Sequence, residues 1–188
     1  MKLTEPMLVG ERVILRLAKP KDAPEIAAYM VRNRAFHKAT DPARPEEHFT
    51  ELFWRKVARV ARREFQLDSS VRMIMLKRDN PTRVIGVVNF NQIVRGVFQA
   101  CYLGYAIDER EEGNGLMTEA LRLAIQYMFR ERNIHRIMAN YMPSNGRSAR
   151  VLEKLGFTIE GRADRYLRIN GKWEEHVLTS LTNNEWRE

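Results

Sequence analysis

Polar and apolar positions alternate through residues 12–17, and this period of two predicts an opening strand. Pro20-Lys-Asp22 then supplies helix-start chemistry for a helix over about 23–32. The segment 36–47 carries Asp41-Pro42 and Arg44-Pro45 with no period, and reads as a loop. From 49 to 65, Leu52, Phe53, Val57, Val60 and Ala61 recur at helical spacing, while Arg55, Arg59, Arg62 and Arg63 gather on another side. That pattern predicts an amphipathic helix with a basic face. Three extended runs follow, 72–76, 84–94 and 97–107, separated by Asp79-Asn-Pro81 and Arg95-Gly96, and predict an antiparallel meander.

The third run ends at a glycine-bearing loop, 110–115. Beyond it Thr118, Arg122, Gln126 and Arg130 stand four apart, and Leu116, Ala120, Leu123, Ala124 and Tyr127 form a wide apolar face, so 116–130 reads as a helix lying on a sheet. The extended run 136–141 completes strand, helix, strand, which is a parallel crossover unit. A short helix over about 145–155 stops at Gly156, and the runs 165–169 and 172–181 flank Asn170-Gly171 as a hairpin with a two-residue turn. The expected fold is α/β with a mixed sheet: antiparallel N-terminal strands, then the parallel unit, then a C-terminal hairpin. It forms one domain over 1–188 with its core in 10–182.

Composition narrows the classes. With 188 residues, 44% hydrophobic and 30% charged, the chain is globular rather than disordered. No apolar run approaches the ~18 residues of a membrane helix, and the N-terminal stretch lacks the apolar segment of a signal peptide, so a cytoplasmic protein is expected. Cys101 is the single cysteine, and His37, His48, His135 and His176 lack ligand spacing, so neither disulfides nor metal are expected. The formal charge is +8, and eight lysines leave 24 arginines among 32 basic residues. Guanidinium binds phosphate bidentately, which makes the Arg55, Arg59, Arg62, Arg63 face the candidate contact with RNA or a ribosomal surface.

The candidate chemistry sits in the 110–115 loop. A glycine loop that leaves a strand and opens a helix aims free backbone N–H groups at one spot, where the helix dipole adds about half a positive charge. Gly113 and Gly115 keep Cβ atoms out of the way, and Arg110 adds a cation. A Walker A loop is excluded because Leu116-Met117 follows Gly115, and a dinucleotide fingerprint is excluded because Thr118 stands where a third Gly or Ala is needed.

Arg110, Gly113 and Gly115 resemble the R/Q-x-x-G-x-G/A signature of the GNAT N-acetyltransferases, and Asn145-Gly-Arg-Ser148 with Leu155-Gly-Phe157 resembles that family's second cofactor segment. The stretch from 86 to 181 is similar to the RimJ/RimL-type members. The resemblance implies a GNAT-like fold, acetyl-coenzyme A as co-substrate, and transfer to the N-terminal α-amine of a protein, an alanine of a small-subunit ribosomal protein. It implies that Tyr105, Ala106 and Ile107 pair with pantetheine as an added strand. The amides of Gly113, Asn114, Gly115, Leu116 and Met117 would hold the pyrophosphate, and Asn145 would reach pantetheine from the far side. Many relatives protonate the departing thiolate with a tyrosine where this chain has Leu152, so the role passes to Ser148, as the resemblance to RimL-like members implies.

An α-amine with pKa ~8 is already about 10% neutral at pH 7, so it asks little of a base. Asp164, Glu174 and Glu175 are candidate ends of a water chain to such a base, and each is also explained as a solvated charge; His135 and His176 read as structural imidazoles. A backbone N–H on the strand ending at Ile107 is the expected oxyanion donor, worth about 3 kcal/mol. Lys38-Ala39-Thr40 stands where relatives often have Lys-Pro-Trp, so the aromatic wall of the peptide pocket is either lost or replaced by Trp54. A small amine or antibiotic as acceptor, and a ribosome-assembly factor binding RNA through the basic helix, remain as alternatives.

Overall fold

The structure, a computed structural model, describes residues 3–188; Met1 and Lys2, part of the N-terminal stretch weighed against a signal peptide, lie outside the described residues. Strands β1 (Met7–Val9), β2 (Val13–Leu17), β3 (Val71–Lys77), β4 (Val84–Val94), β5 (Ala100–Ile107), β6 (Arg136–Met138), β7 (Thr158–Ile169) and β8 (Lys172–Thr182) form one sheet in the order β1-β2-β3-β4-β5-β6-β8-β7. Only β5 and β6 run parallel among the described pairs, so the sheet is mixed as expected. The helices are α1 (Ala23–Arg32), α2 (Arg34–His37), α3 (Glu51–Gln66), α4 (Leu116–Arg130) and α5 (Gly146–Lys154). No described helix is long and apolar enough to cross a membrane.

Strand β3 shows how the sheet is sandwiched. Side chains alternate across a strand, so Met73 and Met75 join Leu116, Ala120, Leu121 and Ala124 of α4, while Ile74 and Leu76 join Ile26 and Tyr29 of α1 on the opposite face. Four consecutive buried residues in β3 are the mark of a strand covered on both sides. Each such side chain contributes roughly 1.5–3 kcal/mol by leaving water. Gly86 on β4 is required by proximity: a Cβ there would stand 2.7 Å from the carbonyl oxygen of Ala106, so only glycine lets β4 and β5 approach.

Several expectations are corrected. The 36–47 loop contains the end of α2, and a 3-10 turn at Glu46–Phe49 begins within it. The third run starts at Ala100 rather than 97, because Gln99 adopts a left-handed backbone and Val97 is fully exposed. Strand β6 stops at Met138, and Tyr141 bridges only to Val177. Strand β7 begins at Thr158 rather than 165. It is an edge strand with almost no buried positions, so it carries no apolar alternation to find. The hairpin turn is as predicted, with positive φ at both Asn170 and Gly171.

Between α2 and α3 the chain is held by aromatic contacts. The His48 ring lies 4.9 Å from Trp54 and 5.1 Å from Phe53, and Trp54 donates its indole N–H to the His48 carbonyl at 2.7 Å. Burial, with Arg44 acting in the same sense, pushes the His48 imidazole down to about 4 from its ordinary 6.5. The unfolded chain therefore binds more protons than the folded one between these values. Stability is full above pH 6.5 and falls as pH drops toward 4, by about 2–3 kcal/mol for this group, with His37 adding in the same direction because burial lowers it too. Urea unfolding at neutral and acid pH is expected to show that loss, and His48→Gln to flatten it. A slope unchanged by the substitution would place the acid sensitivity elsewhere.

Candidate functional site

Strands β5 and β6 pair only over Ala100–Tyr102 with Arg136–Met138, and then diverge, leaving the rest of β5 with one unpaired edge. Alternation decides which groups face the gap. The Asp108 N–H donates to the Ile85 carbonyl on β4 at 2.8 Å and Ala106 stands opposite Val87 two residues on, so Leu103, Tyr105 and Ile107 turn their backbone N–H and C=O to the open side. Ala106 lines the gap but its main-chain groups belong to the β4 pairing. This corrects the expectation that all three of Tyr105, Ala106 and Ile107 offer their backbone to a ligand.

A cleft of about 450 Å³ occupies the divergence. Gly113 and Gly115 line it with φ of +77° and +75°, values glycine adopts without strain, and nothing lies within 4 Å of a Cβ built at Gly113. Gly115 caps α4 without a side-chain partner, and the N–H groups of Leu116, Met117 and Thr118 have no acceptor among the described residues. The loop is braced from behind by Arg12, which donates to the Asn114 carbonyl at 2.9 Å and to Glu119 at 2.8 Å. Side chains of Arg110 and Asn114 do not line the cleft; its cations are Arg147, Arg150 and Lys154. The spacing of these three along one short helix is visible in the sequence, but their place beside the glycine loop depends on the approach of α5.

On α5, Asn145 caps the helix, its side-chain oxygen accepting the Ser148 N–H at 3.1 Å. The Ser148 hydroxyl lies 2.7 Å from the Tyr105 hydroxyl, which also stands 3.4 Å from the Ser148 carbonyl. Burial pushes the Tyr105 phenol up to about 12, with the Ser148 hydrogen bond acting the other way, so it stays protonated at neutral pH. A phenol donating to Ser148 leaves the serine O–H free for a group in the cleft. Leu152 is buried in the core.

The remaining wall comes from α2 and the residues after it. Phe36, His37, Thr40 and Asp41 line the cleft, and Arg147 lies 4.7 Å over the Phe36 ring while donating to Glu112 at 2.6 Å. Trp54 lines neither this cleft nor the cavity beside it, being held against His48, so the aromatic surface expected there belongs to Phe36. The other candidate bases stand apart from the cleft. Asp164 is exposed on β7, and Glu175 pairs with Arg162. The His176 ring, like Glu174, belongs to β8, 3.0 Å from the Glu174 carbonyl, and His135 precedes β6 against Trp186. On α3, Arg55 pairs with Glu51 and Arg62 with Glu5, which leaves Arg59 and Arg63 without an acidic partner among the described residues.

The family described as Acetyltransferase (GNAT) domain matches residues 12–158. The chain is 46% identical to the [ribosomal protein uS5]-alanine N-acetyltransferase of Escherichia coli strain K12, over 95% of this chain and 92% of that protein. It is 36% identical to the probable N-acetyltransferase YjcK of Bacillus subtilis, over 94% and 97%. The crystal structure of ribosomal-protein-S5-alanine acetyltransferase from Vibrio fischeri superposes with a TM-score of 0.93 at 36% identity, covering 97% of this chain and all of that one. RimJ from Mycobacterium smegmatis in complex with CoA-disulfide shares the fold, with a TM-score of 0.87 at 23% identity over 98% and 89%. A loop of free amides opening a helix beside a half-unpaired strand, on a chain matched over most of its length, has one conclusion: this protein belongs to the GNAT acetyltransferase family.

Proposed function

We propose that the protein moves an acetyl group from acetyl-coenzyme A to the N-terminal α-amine of a protein, an alanine at the N-terminus of a small-subunit ribosomal protein, in the cytoplasm. The observation that carries the reading is the 46% identity, over nearly the whole of both chains, to an enzyme named for that acceptor. The cleft supports it chemically. The free amides from Gly113 to Met117, with Arg150 and Lys154 alongside, suit a pyrophosphate. The exposed backbone of Tyr105 and Ile107 suits the amides of a pantetheine arm, and the side-chain N–H₂ of Asn145, whose oxygen is engaged in capping, is free to donate to the same arm.

Bound acetyl-coenzyme A supplies an activated acetyl group as a thioester. The chain's own groups do the rest. A main-chain N–H on the open edge of β5 stabilises the negative charge that develops on the carbonyl oxygen. Ser148 gives its proton to the departing sulfur and is backed by the protonated Tyr105, which stands 2.7 Å away. The acceptor enters beside Phe36, His37 and Asp41.

Ribosomal proteins from cells lacking the gene, incubated with the protein and acetyl-coenzyme A, are expected to gain a single acetyl mass on one alanine N-terminus by intact-mass spectrometry. Acetylation of an internal lysine, or of free small amines only, would replace this reading.

A further inference from the structure

The cleft shares a wall with a second cavity of about 220 Å³, lined by residues that include Asn33, Arg34, Lys38, Arg44 and Phe49. His37 and Asp41 line both spaces, so these two side chains stand where one passes into the other. The rim is tied across the fold, because Asn170 at the tip of the β7–β8 hairpin donates to the Lys38 carbonyl. A chain end lying in the second cavity and reaching the thioester in the first has to pass its amine between this carboxylate and this imidazole.

We propose, resting on the acceptor reading above, that the N-terminal residues of the acceptor occupy the second cavity, that Asp41 holds the incoming α-ammonium, and that His37 takes its proton. Asp41 is placed by its own N–H, which donates to the His37 carbonyl at 2.9 Å, and its only ion pair among the described residues is a loose one, 3.9 Å from Arg44. That leaves carboxylate oxygens for an ammonium. The Nε2 atom of His37 lies 3.4 Å from the buried Tyr29 hydroxyl, while Nδ1 has no partner among the described residues. A ring charged by protonation at Nδ1 keeps its Nε2–H directed at the Tyr29 oxygen.

The groups around the ring set its readiness. Burial holds His37 below the ordinary imidazole value. Arg147 from α5 acts in the same sense, while Asp41, and Glu112 and Asp108 from the loop before α4, act against it. The ring is therefore neutral at pH 7 and able to accept. In the balanced step, one proton leaves the ammonium nitrogen for His37, and the freed lone pair forms the C–N bond as the C–S bond breaks, with its electron pair going to sulfur. The second nitrogen proton reaches that sulfur by way of Ser148, and the proton on His37 passes to water. His135 and His176 line neither cavity and have no part in it.

The test measures kcat/KM against pH for a synthetic alanine-initiated peptide, with calorimetric uptake of acetyl-coenzyme A beside it. In His37→Gln the amine has to lose its proton in solution before it binds. Activity is then expected to drop about 30-fold near pH 6.5 and to recover to within about threefold near pH 9, following an amine of pKa ~8. Uptake of acetyl-coenzyme A stays unchanged. His37→Asn is run in parallel, so that a folding defect in one variant does not remove the readout. Asp41→Asn is expected to raise KM for the peptide about tenfold with a smaller effect on kcat. An equal loss at both pH values, or none, overturns the role of His37, and an unchanged KM in Asp41→Asn overturns the ammonium site. A wild-type protein that takes up acetyl-coenzyme A but leaves the peptide unmodified overturns the acceptor reading and this role with it, which a failure of His37→Gln alone does not.

Discussion

Gly113→Val is expected to weaken acetyl-coenzyme A binding at least about 100-fold while leaving the protein folded, because the added side chain takes space from the ligand and not from the core. The built Cβ at this position meets nothing within 4 Å, and the residue lines the cleft. The conformational penalty for a side chain at φ +77° is about 1–2 kcal/mol, which a thermal melt would register as a modest shift. Gly113→Ala carries the same backbone strain with little bulk, so it separates the two effects: its melting temperature falls similarly and its binding falls far less. Gly115→Val adds a further complication, since Arg12 lies 3.6 Å from its built Cβ and the same arginine braces the Asn114 carbonyl. If calorimetry finds Gly113→Val binding the ligand as the wild type does, the pyrophosphate assignment fails.

Ser148→Ala is expected to lower kcat about 100-fold or more with acetyl-coenzyme A affinity unchanged, the range for loss of a positioned proton donor. Helix α5 survives the change, because its cap uses the Ser148 main-chain N–H and the Asn145 side chain. Tyr105→Phe removes the partner hydroxyl and should cost less, about tenfold. Groups that act as a unit are not additive, so the double variant should resemble Ser148→Ala alone. Single-turnover acetyl transfer to the alanine-initiated peptide separates the chemical step from product release. A Ser148→Ala variant with wild-type kcat would move the proton donor elsewhere in the cleft. The stability lost with the 2.7 Å hydrogen bond is about 1 kcal/mol, too small to account for the kinetic effect.

The Asn145–Ser148 segment is legible in the sequence as the start of a short helix, and the structure places both residues in the wall of the cleft. Arg110 belongs to the glycine loop by sequence, but its side chain does not line the cleft, whose cations come from α5, and spacing in the sequence does not show that approach. The sequence points to the backbone of Tyr105 but not to its hydroxyl, whose meeting with Ser148 spans 43 residues. The spacing predicts a basic face of four arginines on α3, two of which, Arg55 and Arg62, the fold pairs with Glu51 and Glu5.

Short-range pattern in the chain is enough for the bounds of α1 and α4, the glycine loop ahead of α4, the tight Asn170-Gly171 turn, and the family to which these motifs belong. Such features depend on residues a few positions apart, where propensity and periodicity act directly. The tertiary structure alone decided that β5 and β6 part after three residues, that Tyr105 meets Ser148, and that His37 and Asp41 stand between two cavities. Those facts follow from how α2, α5 and the diverging strands pack across long separations in the chain, and packing of that kind leaves no period in the sequence.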